Sequence, residues 1–251
     1  MVIDFSGVPN RGIGRWLRIP LAVLPSGMVL PVLQGPLRGK RWIKGSSNNG
    51  CWLGSYESVK SRLFAGLIRA GNVVYDLGAN VGYYTMIGAI RTGGRGQVHA
   101  FEPVARNLVL LQKHLSLNRI SNVVVHALVV SDQSGTGAFC CGDNPSMGRL
   151  DTDGHSHVPV AALDDLVFLH KIPPPDLIKM DIEGGEYRAL TGMITTISKY
   201  HPVLLIATHS DGLHRECIMF LEKYGYRVRG IDNQKPESTD ELVAYYCSGI
   251  P

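Results

Sequence analysis

Val73-Val74-Tyr75-Asp76-Leu77-Gly78-Ala79-Asn80-Val81-Gly82 is an apolar run that closes on an acid and a glycine-containing turn. The β-branched and aromatic residues at its start suit a buried strand. Gly78 and Gly82 let the backbone turn sharply and pass close to a ligand. Residues 83–90 then continue as a helix, whose first N–H groups lack intrahelical partners. The glycine spacing is G-x-x-x-G rather than the G-x-G-x-x-G of a dinucleotide pyrophosphate site, which counts against NAD or FAD. Asp76, just before the first glycine, suits a cationic or amino-bearing ligand better than a phosphate.

Outward from this stretch the pattern is regular. Residues 57–70 carry apolar positions at helical spacing (Val59, Leu63, Leu67) and stop at Gly71. Downstream, strands are expected at 97–101, 123–128, 177–181 and 203–208, with helices at 104–117 and 212–224. Residues 226–231 and 242–247 read as two closing strands, paired antiparallel. Apolar strands alternating with amphipathic helices imply an α/β fold, a mostly parallel sheet covered on both faces. Residues 135–154 are polar and Gly-rich and read as a loop with short strands near a substrate mouth.

In such sheets ligands bind beyond the carboxyl ends of the strands. Three acids occupy those ends: Asp76, Glu102 in Phe101-Glu102-Pro103, and Asp132 after Ser131. Glu102 lies 24 residues past Gly78, about where an acid takes the hydroxyls of a ribose. One acid for an ammonium, one for a ribose and one for a base amine describes S-adenosylmethionine.

Four blocks carry a resemblance to a known family. Trp52-Leu53-Gly54-Ser55-Tyr56-Glu57, the DLGANVG of residues 76–82, the FEP of residues 101–103 and the IKMDIEGGE of residues 178–186 resemble the FkbM-type S-adenosylmethionine-dependent methyltransferases. The likeness spans about residues 50–231. It implies the Rossmann-like class I methyltransferase fold, a seven-stranded sheet in the order 3-2-1-4-5-7-6, and O-methylation of sugars or secondary metabolites. It further implies that Asp76, Gly78, Asn80 and Gly82 line the methionine end of the cofactor. Glu102 would hold the ribose, Asp132 the adenine side, and the helix start at Tyr56-Glu57 would close over the ligand. One position departs from the family pattern: Ala207 stands where an acid is expected after the fifth strand, whereas His209 is retained.

The catalytic end is expected at Asp181-Ile182-Glu183-Gly184-Gly185-Glu186. Alternation would project Asp181 and Glu183 to one side of a persisting strand, and Glu186 reads as a helix-start acid that offsets the dipole. Methyl transfer to a hydroxyl needs a group that removes a proton and holds the oxygen for in-line attack. Either His209 or Asp181 acts as general base, or Asp181 and His209, helped by Glu183 or Asp211, bind Mg²⁺. Met147, Arg149 and Asp151 are candidates for acceptor contact, and His155-Ser156-His157 is a poor metal signal.

Composition sets the outer bounds. The 251 residues are 45% apolar and 18% charged, which excludes a disordered chain. The net charge of +4 is uneven: residues 1–70 hold ten Lys/Arg against two acids, and the remainder is mildly acidic. Residues 1–56 therefore read as a small basic β/α appendage and 57–251 as the methyltransferase domain. The basic front suggests an anionic acceptor met by Lys40, Arg41 and Lys44, or, as an alternative function, RNA or another polyanion as substrate. Ala207 motivates a further alternative, a catalytically silent cofactor-binding module. Five cysteines without a C-x-x-C pair signal neither disulfides nor zinc and suit a reduced, cytoplasmic setting. Residues 19–37 lack charge but contain Pro20, Pro25, Pro31 and Pro36, which argues against a spanning helix.

Overall fold

The computed structural model describes residues 24–140, 148–151, 154, 156–231 and 234–247. The described chain opens with an antiparallel ribbon, β1 (Val29–Pro31) and β2 (Arg41–Ile43), and two helices, α1 (Gly50–Leu53) and α2 (Ser58–Leu67). Then come β3 (Val73–Leu77), α3 (Tyr83–Thr92), β4 (Gln97–Phe101), α4 (Ala105–Leu117) and β5 (Val123–His126). An insertion follows: β6 (Val129–Ser131), β7 (Gly135–Cys140), β8 (Arg149–Leu150), β9 (Ser156–Ala162) and α5 (Leu163–Phe168). The second half holds β10 (Leu177–Met180), α6 (Glu186–Thr191), α7 (Ile194–Tyr200), β11 (Val203–Ala207), α8 (Asp211–Lys223), β12 (Tyr226–Gly230) and β13 (Glu241–Tyr246).

Seven strands form one sheet in the order β12-β13-β11-β10-β3-β4-β5. With β3 as the first strand and β10 as the fourth, this is the 3-2-1-4-5-7-6 order of a class I methyltransferase, read from the other edge. The pairs among β5, β4, β3, β10 and β11 are parallel, and β13 runs antiparallel to both neighbours. The chain leaves β3 toward β4 and β5, then returns to place β10 on the opposite side. The topological switch point, where ligands bind in such sheets, therefore lies between β3 and β10.

The strands are near-continuous apolar runs because helices cover both faces. One core packs α3 and α4 against Val74, Val98 and Leu177, and a second packs α6, α7 and α8 against Ile178, Leu204 and Ile206. The basic ribbon belongs to the first core. Trp42 is fully buried, stacked on His114 at 3.9 Å and edge-on to Tyr83. Truncating a buried Trp to Ala typically costs about 3–5 kcal/mol, so Trp42 is expected to fasten the ribbon to the sheet domain. Within 24–37 the chain turns at Gly27 and Gly35, both at positive φ, and forms no helix. The rest of the uncharged 19–37 stretch lies outside the described residues. Among the described residues, no helix is long and apolar enough to cross a membrane.

One local expectation is corrected. The third strand does not run through 123–128: β5 stops at His126, and β6 leaves to pair with β9 in a separate four-stranded sheet, β6-β9-β7-β8. Within residues 135–154, read as a loop with short strands, β7 and β8 are short strands of that second sheet. Cys140 ends β7, half-buried, and His157 is exposed on β9. Met147, His155 and Cys141 lie outside the described residues.

Two buried histidines make the fold acid-sensitive. His99 bonds His126 at 2.9 Å and Gln97 at 3.0 Å, while His114 bonds the Val81 carbonyl at 2.8 Å and accepts the Ile43 N–H at 3.1 Å. Burial, with His126 adding repulsion at His99, pushes both side chains down to about 4. The folded state therefore binds fewer protons than the unfolded chain below the ordinary histidine value. Stability present at neutral pH is lost as pH falls from about 6.5 toward 4, by roughly 2–3 kcal/mol per histidine. Urea unfolding across that window is expected to show this decline, and a flat profile would contradict the buried neutral pair.

Candidate active site

The first turn is held by the neighbouring strand. Gly78 and Ala79 N–H groups both donate to the Phe101 carbonyl at 3.0 Å, and the Asn80 N–H donates to Glu102 Oε2 at 2.8 Å. Asn80 adopts φ 49°, a left-handed conformation that asparagine tolerates, and its Oδ1 accepts the Val81 N–H at 2.8 Å. Glu102 is only 5% exposed, and its Oε1 accepts from Val104 N–H at 2.9 Å and from Asn107 Nδ2 at 3.3 Å. Burial raises the Glu102 carboxyl above its ordinary value despite these donors. A carboxylate offers about four acceptor positions. Three are taken, leaving room for a ligand hydroxyl.

A cavity of about 700 Å³ opens here, lined by Gly78, Asn80 and Glu102 on the first-turn side and by Tyr56, Asp181 and Glu183 on the other. This volume falls in the range of small-molecule and cofactor sites, roughly 300–1,000 Å³. Asp76, Glu57, Gly82 and Asp132 are not among its lining residues. Asp76 is fully buried behind it, with Oδ2 accepting the Thr85 hydroxyl at 2.6 Å and Oδ1 3.4 Å from Lys179 Nζ. Glu57 accepts the Tyr84 hydroxyl at 2.6 Å and faces Lys60 at 3.4 Å. Gly82 precedes α3 at φ 95°, where a Cβ would press on Leu111. Asp132 borders an adjoining depression, bonded to Ser131 at 2.8 Å and to Arg188 at 3.0 Å. Burial raises its carboxyl, but the bonds to Ser131 and Arg188 and the Arg188 charge together outweigh this and hold it below the usual carboxylate value. Ser131, its neighbour, does line the cavity.

At the other side, Asp181 stands at the crossing of several charges. Its Oδ2 lies 3.6 Å from Lys60 Nζ and 3.8 Å from Lys179 Nζ, and its Oδ1 lies 3.5 Å from His209 Nε2. Burial would raise the Asp181 carboxyl, but Lys179, Lys60 and His209 hold it below its ordinary value. Both lysines are almost fully buried. Lys60 is further bound to Glu241 at 2.7 Å, and Lys179 donates to the Gly78 carbonyl at 3.1 Å. Tyr84 lies beneath both ammonium groups, 5.8 and 5.1 Å from its ring centre. Sequence reading overlooked this pair; Lys179, directly inside the IKMDIEGGE block, was the visible signal.

The expected alternation of Asp181 and Glu183 along a strand does not occur, because β10 ends at Met180. Glu183 instead turns at φ 53° and Gly184 at φ 100°. This turn, rather than strand pleating, brings Glu183 Oε2 to 3.5 Å from His209 Nε2. Burial raises the Glu183 carboxyl, as do its acidic neighbours, against the pull of His209. The His209 side chain, 30% exposed, bonds Glu186 Oε1 through Nδ1 at 2.8 Å. That bond, outweighing burial, raises the imidazole above its ordinary value. Asp181, Glu183 and His209 also each present a potential ligand atom within 4.8 Å of one another. Asp211 begins α8, exposed.

The bases of the ribbon are elsewhere. Lys40, Arg41 and Lys44 do not line the cavity, whereas Arg106, Arg149 and Arg188 do. The Arg41 backbone is pinned to the end of α4 by Asn118, N–H to Oδ1 and carbonyl to Nδ2, both at 2.8 Å. Asp151 is 3.3 Å from Arg149 at the adjoining depression.

The sequence profile of the methyltransferase FkbM domain matches residues 76–228, from the end of β3 into β12. The chain belongs to the FkbM methyltransferase family. The hexuronic acid methyltransferase AglP of Haloferax volcanii is 26% identical over 136 residues, covering 53% of this chain and 55% of AglP. The 31-O-demethyl-FK506 methyltransferase FkbM of Streptomyces tacrolimicus is 24% identical over 196 residues, covering 64% of this chain and 75% of that protein. This FkbM-family chain thus matches little more than half the length of AglP. A solved FkbM methyltransferase from Methylobacillus flagellatus KT aligns over 80% of this chain and 56% of its own, with a TM-score of 0.49 and 22% identity.

Proposed function

We propose that this FkbM-family protein transfers a methyl group from S-adenosylmethionine to a hydroxyl of a small acceptor, a sugar or a secondary metabolite. The observation that carries the reading is His209 Nε2, set 3.5 Å from both Asp181 Oδ1 and Glu183 Oε2 where those two acids reach the cavity. The names of two relatives, one acting on a hexuronic acid and one on a demethylated oxygen of FK506, agree with an oxygen acceptor.

The residues present suit the cofactor. S-adenosylmethionine supplies an electrophilic methyl on a sulfonium. The unfilled acceptor position of Glu102 suits a ribose hydroxyl, the backbone at Gly78 and Asn80 suits the methionine end, and Ser131 with Asp132 suits the adenine side. Asp76 acts from behind the cavity, through Lys179 and Thr85. Tyr56 closes the opposite wall, while Glu57 fixes Tyr84 rather than the ligand.

The two bases considered differ in environment. Asp181, beside two buried ammonium groups, stays ionised and is a weak proton acceptor; it orients the acceptor hydroxyl and balances charge. His209 takes the hydroxyl proton on Nε2 as the oxygen attacks the methyl carbon, and the imidazolium formed faces Asp181, Glu183 and Glu186. The same lysines make the Asp181–Glu183–His209 trio a poor divalent-metal site, since a cation placed there meets two positive charges at close range.

Methyl transfer from S-adenosylmethionine to a library of sugar and polyketide hydroxyls, followed by mass spectrometry, tests the reading. Transfer is expected and is expected to be unchanged by EDTA. Loss of turnover on chelation, restored by Mg²⁺, would overturn the metal-free route. Calorimetric cofactor binding with no transfer to any hydroxyl would leave a binding module.

A further inference from the structure

Glu186 is fully buried at the first position of α6, yet its contacts run back into the active-site turn. Its Oε1 accepts the Ile182 N–H at 3.3 Å, the Gly184 N–H at 3.2 Å and His209 Nδ1 at 2.8 Å. The Oε2 atom, equally buried, has no hydrogen-bond partner among the described residues. An acid placed only to offset a helix dipole would point one oxygen at solvent or at its own helix. This one is desolvated, and one oxygen serves three donors from two different loops.

We propose that Glu186 is a positioning residue that fixes both the tautomer and the orientation of His209, a role that rests on His209 being the base. An oxygen already accepting two backbone N–H groups accepts the third bond as well, so Nδ1 carries the ring proton and Nε2 is left as the basic nitrogen. Without that bond the neutral ring is free to place its proton on Nε2, where Asp181 Oδ1 and Glu183 Oε2 stand at 3.5 Å ready to accept it. A base in that tautomer has no lone pair toward the acceptor hydroxyl. The same carboxylate holds the strained turn at Glu183 and Gly184 through its two amides, so one side chain sets the imidazole and the carboxylates relative to one another. Buried acids behind a catalytic histidine act this way in other enzymes by keeping one tautomer, without taking the proton themselves.

The test combines ring ¹⁵N NMR of the ligand-free protein, titrated upward in pH until the His209 imidazole is neutral, with turnover of Glu186→Gln and Glu186→Ala. The wild type is expected to show His209 protonated at Nδ1. Glu186→Gln keeps an oxygen for the same bond, so it is expected to retain the Nδ1–H signal and to lose roughly tenfold in kcat, with cofactor affinity unchanged. Glu186→Ala is expected to shift the ring to the Nε2–H form and lose about 10²–10³-fold in kcat. A wild-type ring protonated at Nε2, or a folded Glu186→Ala protein with unchanged tautomer and rate, would overturn the proposal. If Glu186→Ala does not fold, the wild-type spectrum and the Gln variant decide it. Since the spectrum needs no turnover, a failure of Glu186 to set the tautomer is distinguishable from a failure of His209 to act as base.

Discussion

Replacing His209 by alanine is expected to lower kcat/KM by about 10²–10⁴-fold, with cofactor affinity nearly unchanged. The expected split follows from position. His209 follows β11, 3.5 Å from both Asp181 Oδ1 and Glu183 Oε2, and is not among the cavity-lining residues, which include Glu102 and Gly78. On the proposed mechanism, its removal takes away the proton acceptor but none of the groups offered to the cofactor. The side chain is partly exposed, but it supplies one of the three donors to the fully buried Glu186 carboxylate, so unfolding stability is expected to fall by about 1–3 kcal/mol. Calorimetry with S-adenosylmethionine alongside steady-state kinetics separates the two effects. A near-normal rate in the folded variant would remove His209 from the chemistry and return Asp181 as the alternative base.

Gly78→Ala is expected to be damaging for a different reason. Gly78 sits at φ 77°, and a Cβ there would collide with the Asp181 backbone carbonyl oxygen. Neither partner can give way, because the Asp181 N–H is tied to the Leu77 carbonyl at 3.1 Å and the Gly78 N–H to Phe101. The first turn and the turn at Asp181 must separate, which is expected to cost about 2–4 kcal/mol of stability. Cofactor affinity is expected to fall at least tenfold, since Asn80 and Glu102 move with the turn. Gly71→Ala is the internal control: φ is 90° but no atom lies within 4 Å of the added Cβ, so only the conformational cost of about 1 kcal/mol remains. Equal effects at the two glycines, by thermal unfolding and cofactor titration, would refute the close packing of the two turns.

The parts legible in the sequence are those with short-range causes. Val73-Val74-Tyr75 can only be a buried strand or a short buried helix, and the glycines after it choose the strand-to-helix turn. The edges of the sheet were harder. Leu128 is apolar and continues the β5 run, yet the chain breaks at Ala127 because β6 finds a partner in β9, far along the chain. Glu186 likewise looked like a helix-start acid, as its spacing from Gly184-Gly185 suggests. Its contact with His209 depends on β11 lying beside β10, which a local reading of the helix cannot reveal.

Hydrophobic period and glycine spacing determined the α/β class, and the family resemblance of the four sequence blocks supplied the strand order and the kind of cofactor. All are set by backbone conformation over a few residues, and that is written locally. The tertiary structure alone decided which charges are free. Asp76 and Glu57 are spent on Lys179, Thr85, Tyr84 and Lys60; the ribbon's Lys40, Arg41 and Lys44 do not line the cavity, while Arg106, Arg149 and Arg188 do. A carboxylate's role follows from what neutralises it, and its neutraliser is brought from distant sequence only when the sheet closes.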